Sequence, residues 1–270
     1  MVVSRINVAF GITKDWLKYT LVTICSILSN AKEEDDYHFY IMSDWENTSV
    51  SVFKPYLDTL NLIKPAEYQF LKMNNSEFEG AVHDWLGVSS SYRLKLPNLL
   101  QENKVLYLDS DLIVLDDIAE LYSYDISDYY LGGVEDKSSH IMRNRVNLSD
   151  GQTFINGGVQ LMNLDKFRED NLEKIIFDKL KACDYYTDQD VINDICRDKI
   201  LQLPLKYNLM ILDMDGFYIN RQEEYKQAVE SPSIIHYTIK PWKDDIPYRD
   251  CWYKYLKILN TNLAKILKKQ

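Results

Sequence analysis

From Ile6 to Asp109, short apolar runs alternate with longer stretches whose apolar positions recur at helical spacing. Ile6–Phe10, Tyr37–Met42, Glu67–Leu71 and Lys104–Leu108 have the length and composition of strands, and Tyr37–Met42 stops at the polar pair Ser43-Asp44. Between them, Lys18–Leu28 places Leu21, Ile24, Cys25 and Leu28 on one helical face. Val50–Leu60 and Ser90–Leu100 also have helical patterns. This alternation predicts an α/β fold made of βαβ units, an open and mostly parallel central sheet flanked by helices.

The second half is less regular. Tyr130–Val134, Gly158–Asn163 and the brief Ser233–His236 read as strands. Leu164–Leu180, with Asp165 near its start, and Asp188–Cys196 read as helices. No linker rich in Gly, Ser or Pro divides the chain and no repeat appears, so the expectation is one domain over residues 1–250. Residues 251–270 form a C-terminal helical elaboration. There Trp252, Leu256, Leu259, Leu263 and Ile266 fall at helical spacing, and Lys254, Lys257, Lys265, Lys268 and Lys269 occur without one acid. A basic amphipathic helix fits an anionic membrane surface. It also fits a helix packed on the domain, its lysines complementing the helix dipole, and the acidity of the rest of the chain weighs toward that reading.

Composition narrows the function. A chain of 270 residues with 46% hydrophobic and 27% charged positions buries a full core without disulfides, which excludes disordered, fibrous and mini-protein classes. The net charge of −10 excludes general nucleic-acid binding, which needs a clustered basic surface. A phosphate ligand in so acidic a protein calls for a divalent cation between them. Tyrosine is abundant, at 20 residues, and suits both ordinary cores and stacking on sugars or bases. Cys25, Cys183, Cys196 and Cys251 form no C-x-x-C and match no zinc spacing, so reduced thiols in a cytosolic protein are expected. Met1–Gly11 is too short for a secretory signal and carries Arg5. Tyr19–Leu28 falls short of the roughly 18 residues of a membrane span and contains Thr20, Thr23 and Ser26. The expected location is cytoplasmic, peripheral on the inner membrane face if the last helix binds lipid.

Candidate chemistry concentrates where the Lys104–Leu108 run meets Asp109-Ser110-Asp111. Alternate side chains of an extended segment share a face, so Asp109 and Asp111 approach one point while Ser110 turns away. Paired carboxylates at the carboxyl end of a strand suit Mg²⁺ or Mn²⁺, at the edge where open α/β sheets bind ligands. Asp116 and Asp117 fit the cap of a following helix, and Thr187-x-x-Asp190 fits another. His236 ends a β-branched run and offers a ring nitrogen to a metal, or serves structure alone; Lys240 four residues on can neutralise phosphate.

In order, Val8-Ala9-Phe10-Gly11-Ile12-Thr13, Ser91-Tyr92-Arg93-Leu94, Asp109-Ser110-Asp111, Phe154-Ile155-Asn156-Gly157-Gly158-Val159, Thr187-Asp188-Gln189-Asp190 and His236 through Lys240-Pro241-Trp242 resemble glycosyltransferase family eight. That family includes glycogenin and bacterial lipopolysaccharide galactosyl- and glucosyltransferases, and the likeness runs from Ile6 to Trp242. It implies a GT-A fold, a retaining transfer of hexose from UDP-galactose or UDP-glucose to a cell-envelope or glycoprotein glycan acceptor, and a Mn²⁺ or Mg²⁺ cofactor. By motif match, Asp109, Asp111 and His236 would ligate the metal. Phe10, Gly11, Thr13, Asp15, Ser110 and Lys240 would bind the nucleotide and its phosphates. Arg93, Asp136, Asn156, Gly157, Asp188 and Gln189 would line the donor sugar, with Gln189 and Asp188 catalytic. Two departures stand out: Thr13-Lys14-Asp15 replaces a common Asp-Asp pair, and the His236-to-Lys240 spacing is short and lacks a glycine before the lysine. The short spacing is the only support for the alternative, a catalytically idle nucleotide- or glycan-binding partner subunit of the same fold, and the presence of Asp188-Gln189 counts against it.

Overall fold

The computed structural model describes residues 5–45, 50–82, 87–182, 187–211, 218 and 221–268; Cys183 and Lys269 lie outside them. The strands are β1 (Arg5–Gly11), β2 (Asp36–Ser43), β3 (Glu67–Lys72), β4 (Lys104–Leu108), β5 (Leu112–Val114), β6 (Leu131–Glu135), β7 (Ile155–Asn163), β8 (Ile200–Leu203), β9 (Leu209–Met210) and β10 (Ile234–His236). The α-helices are α1 (Leu17–Asn30), α2 (Val50–Asn61), α3 (Leu96–Leu99), α4 (Ala119–Tyr122), α5 (Ser139–Met142), α6 (Leu164–Glu169), α7 (Leu172–Ala182), α8 (Asp188–Cys196), α9 (Gln222–Glu230) and α10 (Arg249–Leu267).

The main sheet has seven strands in the order β3-β2-β1-β4-β7-β6-β8, and a smaller one runs β5-β10-β9. In the main sheet β1–β2, β2–β3, β1–β4 and β6–β8 pair in parallel, whereas β7 runs antiparallel to β4 and β6. The expected α/β sheet, mostly parallel and flanked by helices, is therefore present. Strand alternation divides the core between its two faces. Val8, Phe10, Leu106 and Leu108 join side chains of α1 and α10, while Ala9, Val105 and Tyr107 join Ile176 of α7 and Ile192 of α8. Tyr37, Tyr40, Tyr92, Tyr107, Tyr207, Tyr237 and Tyr255 are fully buried, so core packing absorbs a large part of the tyrosine excess.

The register explains why distant segments meet. Val8 lies beside Leu106, so β1 and β4 end at the same edge, and the antiparallel β7 begins there. The Asp109 N–H donates to the Gly158 carbonyl at 2.9 Å across that edge. β5 then leaves for the small sheet, where its first residue, Leu112, pairs with His236 at the end of β10. The Tyr237 N–H donates to the Asp111 carbonyl, 2.9 Å, which locks the two segments together. Buried hydroxyls of α1 hold the turn from behind: Thr20 bonds Ser110 Oγ at 2.8 Å, and Thr23 donates to the carbonyls of Ser110 and Leu112 at 3.0 and 2.8 Å.

Two helix boundaries differ from the sequence reading. Ser90–Leu100 is a 3-10 segment, Val88–Lys95, followed by the single turn of α3. Three consecutive serines compete for backbone hydrogen bonds and Pro97 removes a donor, so a continuous α-helix is not favoured there. Leu164–Leu180 breaks into α6 and α7 at Asn171, whose φ of 52° is left-handed, a conformation asparagine tolerates better than most residues. The N-cap position of α4 is Ile118 and not Asp116 or Asp117, although Asp117 just before it accepts from the Ala119 N–H at 2.9 Å. Thr187 caps α8 through the Asp190 N–H at 3.1 Å.

Candidate functional site

At the carboxyl ends of β1 and β4, Asp109, Asp111 and His236 converge: one ligand atom from each lies within 4.8 Å of the others, the one such three-residue group found among the described residues. His236 Nε2 stands 3.4 Å from Asp111 Oδ1 and 4.0 Å from Asp109 Oδ2. His236 and Asp111 are buried and Asp109 is half-exposed, so the cluster opens on one side. Gly158 is required here by contact: a Cβ on it would collide with the His236 ring and sit 3.0 Å from Asp109 Oδ2. Lys240 donates to Asp111 Oδ2 and to the Tyr237 carbonyl. Burial pushes the Asp111 carboxyl upward, but the neighbouring His236 and Lys240 outweigh it and hold Asp111 below its ordinary range. Asp111 is therefore a carboxylate with a cation already beside it.

A cleft of about 250 Å³ adjoins the cluster, walled by Gly11, Trp16, Ser89, Tyr107, Ser110 and Lys240. Gly11 also has no room for a Cβ, which would strike the Ser89 carbonyl. Two larger hollows, about 660 Å³ along α10 and about 550 Å³ beside the start of β4, lie away from this cluster. The cleft is therefore identified by its chemistry and not by its size.

A second group adjoins the first. Arg93 is nearly enclosed, its Nε donating to Asp188 Oδ2 at 2.6 Å and Nη1 lying 3.9 Å from Asp109 Oδ1. Burial acts against its charge, yet Asp188, Tyr107 and Asp109 raise its pKa above the ordinary value. Gln189 Oε1 accepts from the Gly157 N–H at 2.7 Å, and Asn156 Nδ2 donates to Asp136 Oδ2 at 3.0 Å. Gln189 Nε2 lies 3.4 Å from the same Asp136 oxygen. The structure thus brings Arg93, Asp136, Asn156, Gly157, Asp188 and Gln189 into one network joined to Asp109.

Other predicted residues lie differently. The Phe10 side chain is in the core, stacked on Phe39 with ring centroids 6.4 Å apart, and leaves only its backbone at the strand end. Thr13 precedes the 3-10 turn Lys14–Trp16, and Asp15 is exposed on it; neither lines the cleft. Ser110 borders the cleft with its hydroxyl bonded to Thr20. Trp16, Ser89 and Tyr107 of the cleft, and Asn208, whose Oδ1 lies 3.0 Å from His236 Nδ1, carry no candidate role in the sequence analysis. Trp16 follows β1 by a short turn and could have been suspected as an aromatic at a strand exit. Asn208 carries no local signal.

Fold and site together define a class: an α/β protein of the GT-A type, with a carboxylate–histidine cluster at the ligand edge of its sheet. Comparison with known proteins agrees. The structure superposes on the WbbM bifunctional glycosyltransferase with a TM-score of 0.83 at 20% identity, covering 99% of this chain and 52% of that one. It superposes on the galactosyltransferase LgtC, solved with donor and acceptor sugar analogs, with a TM-score of 0.78 at 21% identity over 96% of both chains. By sequence it is 26% identical to general stress protein A of Bacillus subtilis, covering 88% of each chain. It is 27% identical to lipopolysaccharide 1,2-glucosyltransferase of Escherichia coli, over 92% of this chain and 76% of the other. The profile of glycosyl transferase family 8 matches residues 7–246, and the chain belongs to that family. No helix among the described residues is long and apolar enough to cross a membrane.

Proposed function

We propose that this protein is a retaining hexosyltransferase that moves galactose or glucose from a UDP-sugar to a cell-envelope or glycoprotein glycan, with Mn²⁺ or Mg²⁺ as cofactor. One observation carries the reading: Asp109, Asp111 and His236 converge within 4.8 Å beside Lys240 and the Trp16-lined cleft. The donor set fits a hard divalent cation, with two carboxylates, one imidazole and no thiolate. Asp111, held ionised, needs no proton removed before it binds one.

In this reading Asp109, Asp111 and His236 hold the ion, which when bound supplies positive charge opposite a departing diphosphate. Lys240 adds a second cation at the same end of the cleft. Gly11, Ser110 and Trp16 wall the nucleotide, with the Phe10 backbone, Thr13 and Asp15 at the strand exit. Arg93, Asn156, Gly157, Asp136, Asp188 and Gln189 surround the donor sugar. As the glycosidic bond breaks the sugar gains oxocarbenium character, and the polar amide of Gln189 steadies it. An amide is a poor nucleophile, so the acceptor hydroxyl attacks from the leaving-group face and configuration is retained without a covalent intermediate. We place the transferase domain at residues 1–250 in the cytoplasm, with α10 resting on the inner membrane face.

The test is UDP release from UDP-galactose and UDP-glucose, with Mn²⁺ or excess EDTA, for wild type and Asp109→Ala. Metal-dependent release is expected from one donor, falling roughly a hundredfold or more in the variant, since metal stabilisation of charge is worth several kcal/mol. No turnover, with UDP and Mn²⁺ still raising the melting temperature, would overturn the transferase reading in favour of the idle binding subunit. Neither turnover nor UDP binding would sink both.

A further inference from the structure

We infer that Asn208 is a positioning residue that fixes the proton of His236 on Nδ1 and leaves Nε2 as the ligand atom. The inference rests on the metal reading above. Asn208 ends a 3-10 turn, Leu205–Asn208, immediately before β9, and is 0% exposed. Its Oδ1 is 3.0 Å from His236 Nδ1, and its Nδ2 is 3.0 Å from Asn156 Oδ1.

The two ends of an amide are distinguished by their partners, and here two partners have fixed roles. The backbone N–H of Gly158 donates to one terminal atom of Asn156 at 2.9 Å, so that atom is the carbonyl oxygen. The other terminal atom faces the Asp136 carboxylate at 3.0 Å, so it is the amide nitrogen. Gln189 gives an independent check. Its oxygen is occupied by the Gly157 N–H at 2.7 Å, so its nitrogen faces Asp136, which accepts from both sides.

With the Asn156 oxygen fixed as an acceptor, Asn208 must present its nitrogen to it. That leaves the Asn208 oxygen for His236, and an oxygen accepts only from a protonated Nδ1. The Nε2 lone pair is thereby directed at the side where Asp111 Oδ1 stands at 3.4 Å and Asp109 Oδ2 at 4.0 Å. Neutral histidine in water favours the proton on Nε2, the arrangement that would block ligation. The hydrogen bond on the far nitrogen reverses that preference and orients the ring. His236 and Gln189 are thus joined by one chain of side chains, Asn208, Asn156 and Asp136, whose donor directions are fixed at both ends.

The decisive measurement is a long-range ¹H–¹⁵N correlation spectrum of the metal-free protein at alkaline pH, with His236 assigned by comparison with His236→Gln. The expected result is a single tautomer protonated on Nδ1. A proton on Nε2, or a rapidly averaging mixture, would overturn the inference whether or not the enzyme is active. Mn²⁺ affinity by calorimetry gives a second readout. Asn208→Leu removes the acceptor and should weaken binding roughly tenfold to a hundredfold, whereas Asn208→Asp keeps an oxygen opposite Nδ1 and should bind within a few-fold of wild type. Both variants lose the bond to Asn156, so equal weakening in the two would assign Asn208 a merely structural role. If Asn208→Leu fails to fold, the wild-type spectrum still decides. Absence of Mn²⁺ binding in wild type would instead count against the proposed function.

Discussion

Arg93 and Asp188 form a buried ion pair beside the Asp109, Asp111 and His236 cluster. Their side chains are 4% and 5% exposed and meet at 2.6 Å, and Arg93 also donates to the Gly157 carbonyl. Breaking one half of such a pair leaves a buried charge uncompensated. Asp188→Asn is therefore expected to cost on the order of 3 kcal/mol in denaturant unfolding, apart from any effect on turnover. Pairing Arg93→Met with Asp188→Leu should recover part of that loss. A double variant destabilised by the full sum of its single changes would show that the two charges do not act as a pair. His38 supplies a pH-dependent counterpart far from the site. Burial lowers its pKa, against an upward pull from Glu67, and its Nδ1 is buried with no hydrogen-bond partner among the described residues. Because the unfolded chain takes this proton first as pH falls, the folded state loses stability below about pH 6.5 and regains it above. Wild type should lose more of its denaturant midpoint between about pH 7.5 and pH 5 than His38→Gln does. Parallel pH profiles would remove His38 from the account.

Element by element, the sequence was most legible where period and burial coincide. β1, β2 and β4 follow their apolar runs closely because both faces are covered, β3 is a half-exposed edge strand held by its pairing with β2, and the Asp109-Ser110-Asp111 turn is readable because an i, i+2 spacing is local. β5 and β9 escaped notice for a physical reason: at three and two residues they are too short to carry a period, and they exist because β10 pairs with both. β8 and α9 were missed as well, α9 because its polar first turn, Gln222-Glu223-Glu224, presents little apolar pattern. The candidate site divides in the same way. Asp109 and Asp111 are local, whereas bringing His236 to them depends on the pairing of β5 with β10, which no spacing in the sequence reveals. Asn208 and Trp16 reach the site through turns whose direction tertiary packing sets.

At the scale of the whole molecule, the two halves of α10 differ in what they pack against. Trp252, Tyr255 and Leu259 are buried against α1 and α2, and Asn30 Nδ2 bonds the Tyr255 hydroxyl at 2.8 Å. Beyond Leu259 no described residue of the helix is buried: Leu263 and Ile266 are half-covered and Leu267 is 54% exposed, between Lys265 and Lys268. The helix thus anchors to the domain with its first half and projects a basic, partly apolar end from a chain of net charge −10. We propose that this end rests on an anionic bilayer, which would match it in both charge and apolar character while the acidic remainder of the protein would orient it by repulsion. Truncation is a poor test, because a cut after Trp252 removes the buried Tyr255 and Leu259 and disturbs the core. Neutralising the exposed Lys257, Lys265 and Lys268 to glutamine leaves the packed half intact. That triple variant should keep the wild-type melting temperature yet bind vesicles rich in anionic lipid roughly a hundredfold more weakly, an effect that added salt also produces in wild type. Vesicles of neutral lipid should bind neither protein. Equal co-sedimentation of variant and wild type with anionic vesicles would leave α10 as a packing helix whose lysines serve only its dipole and its solubility.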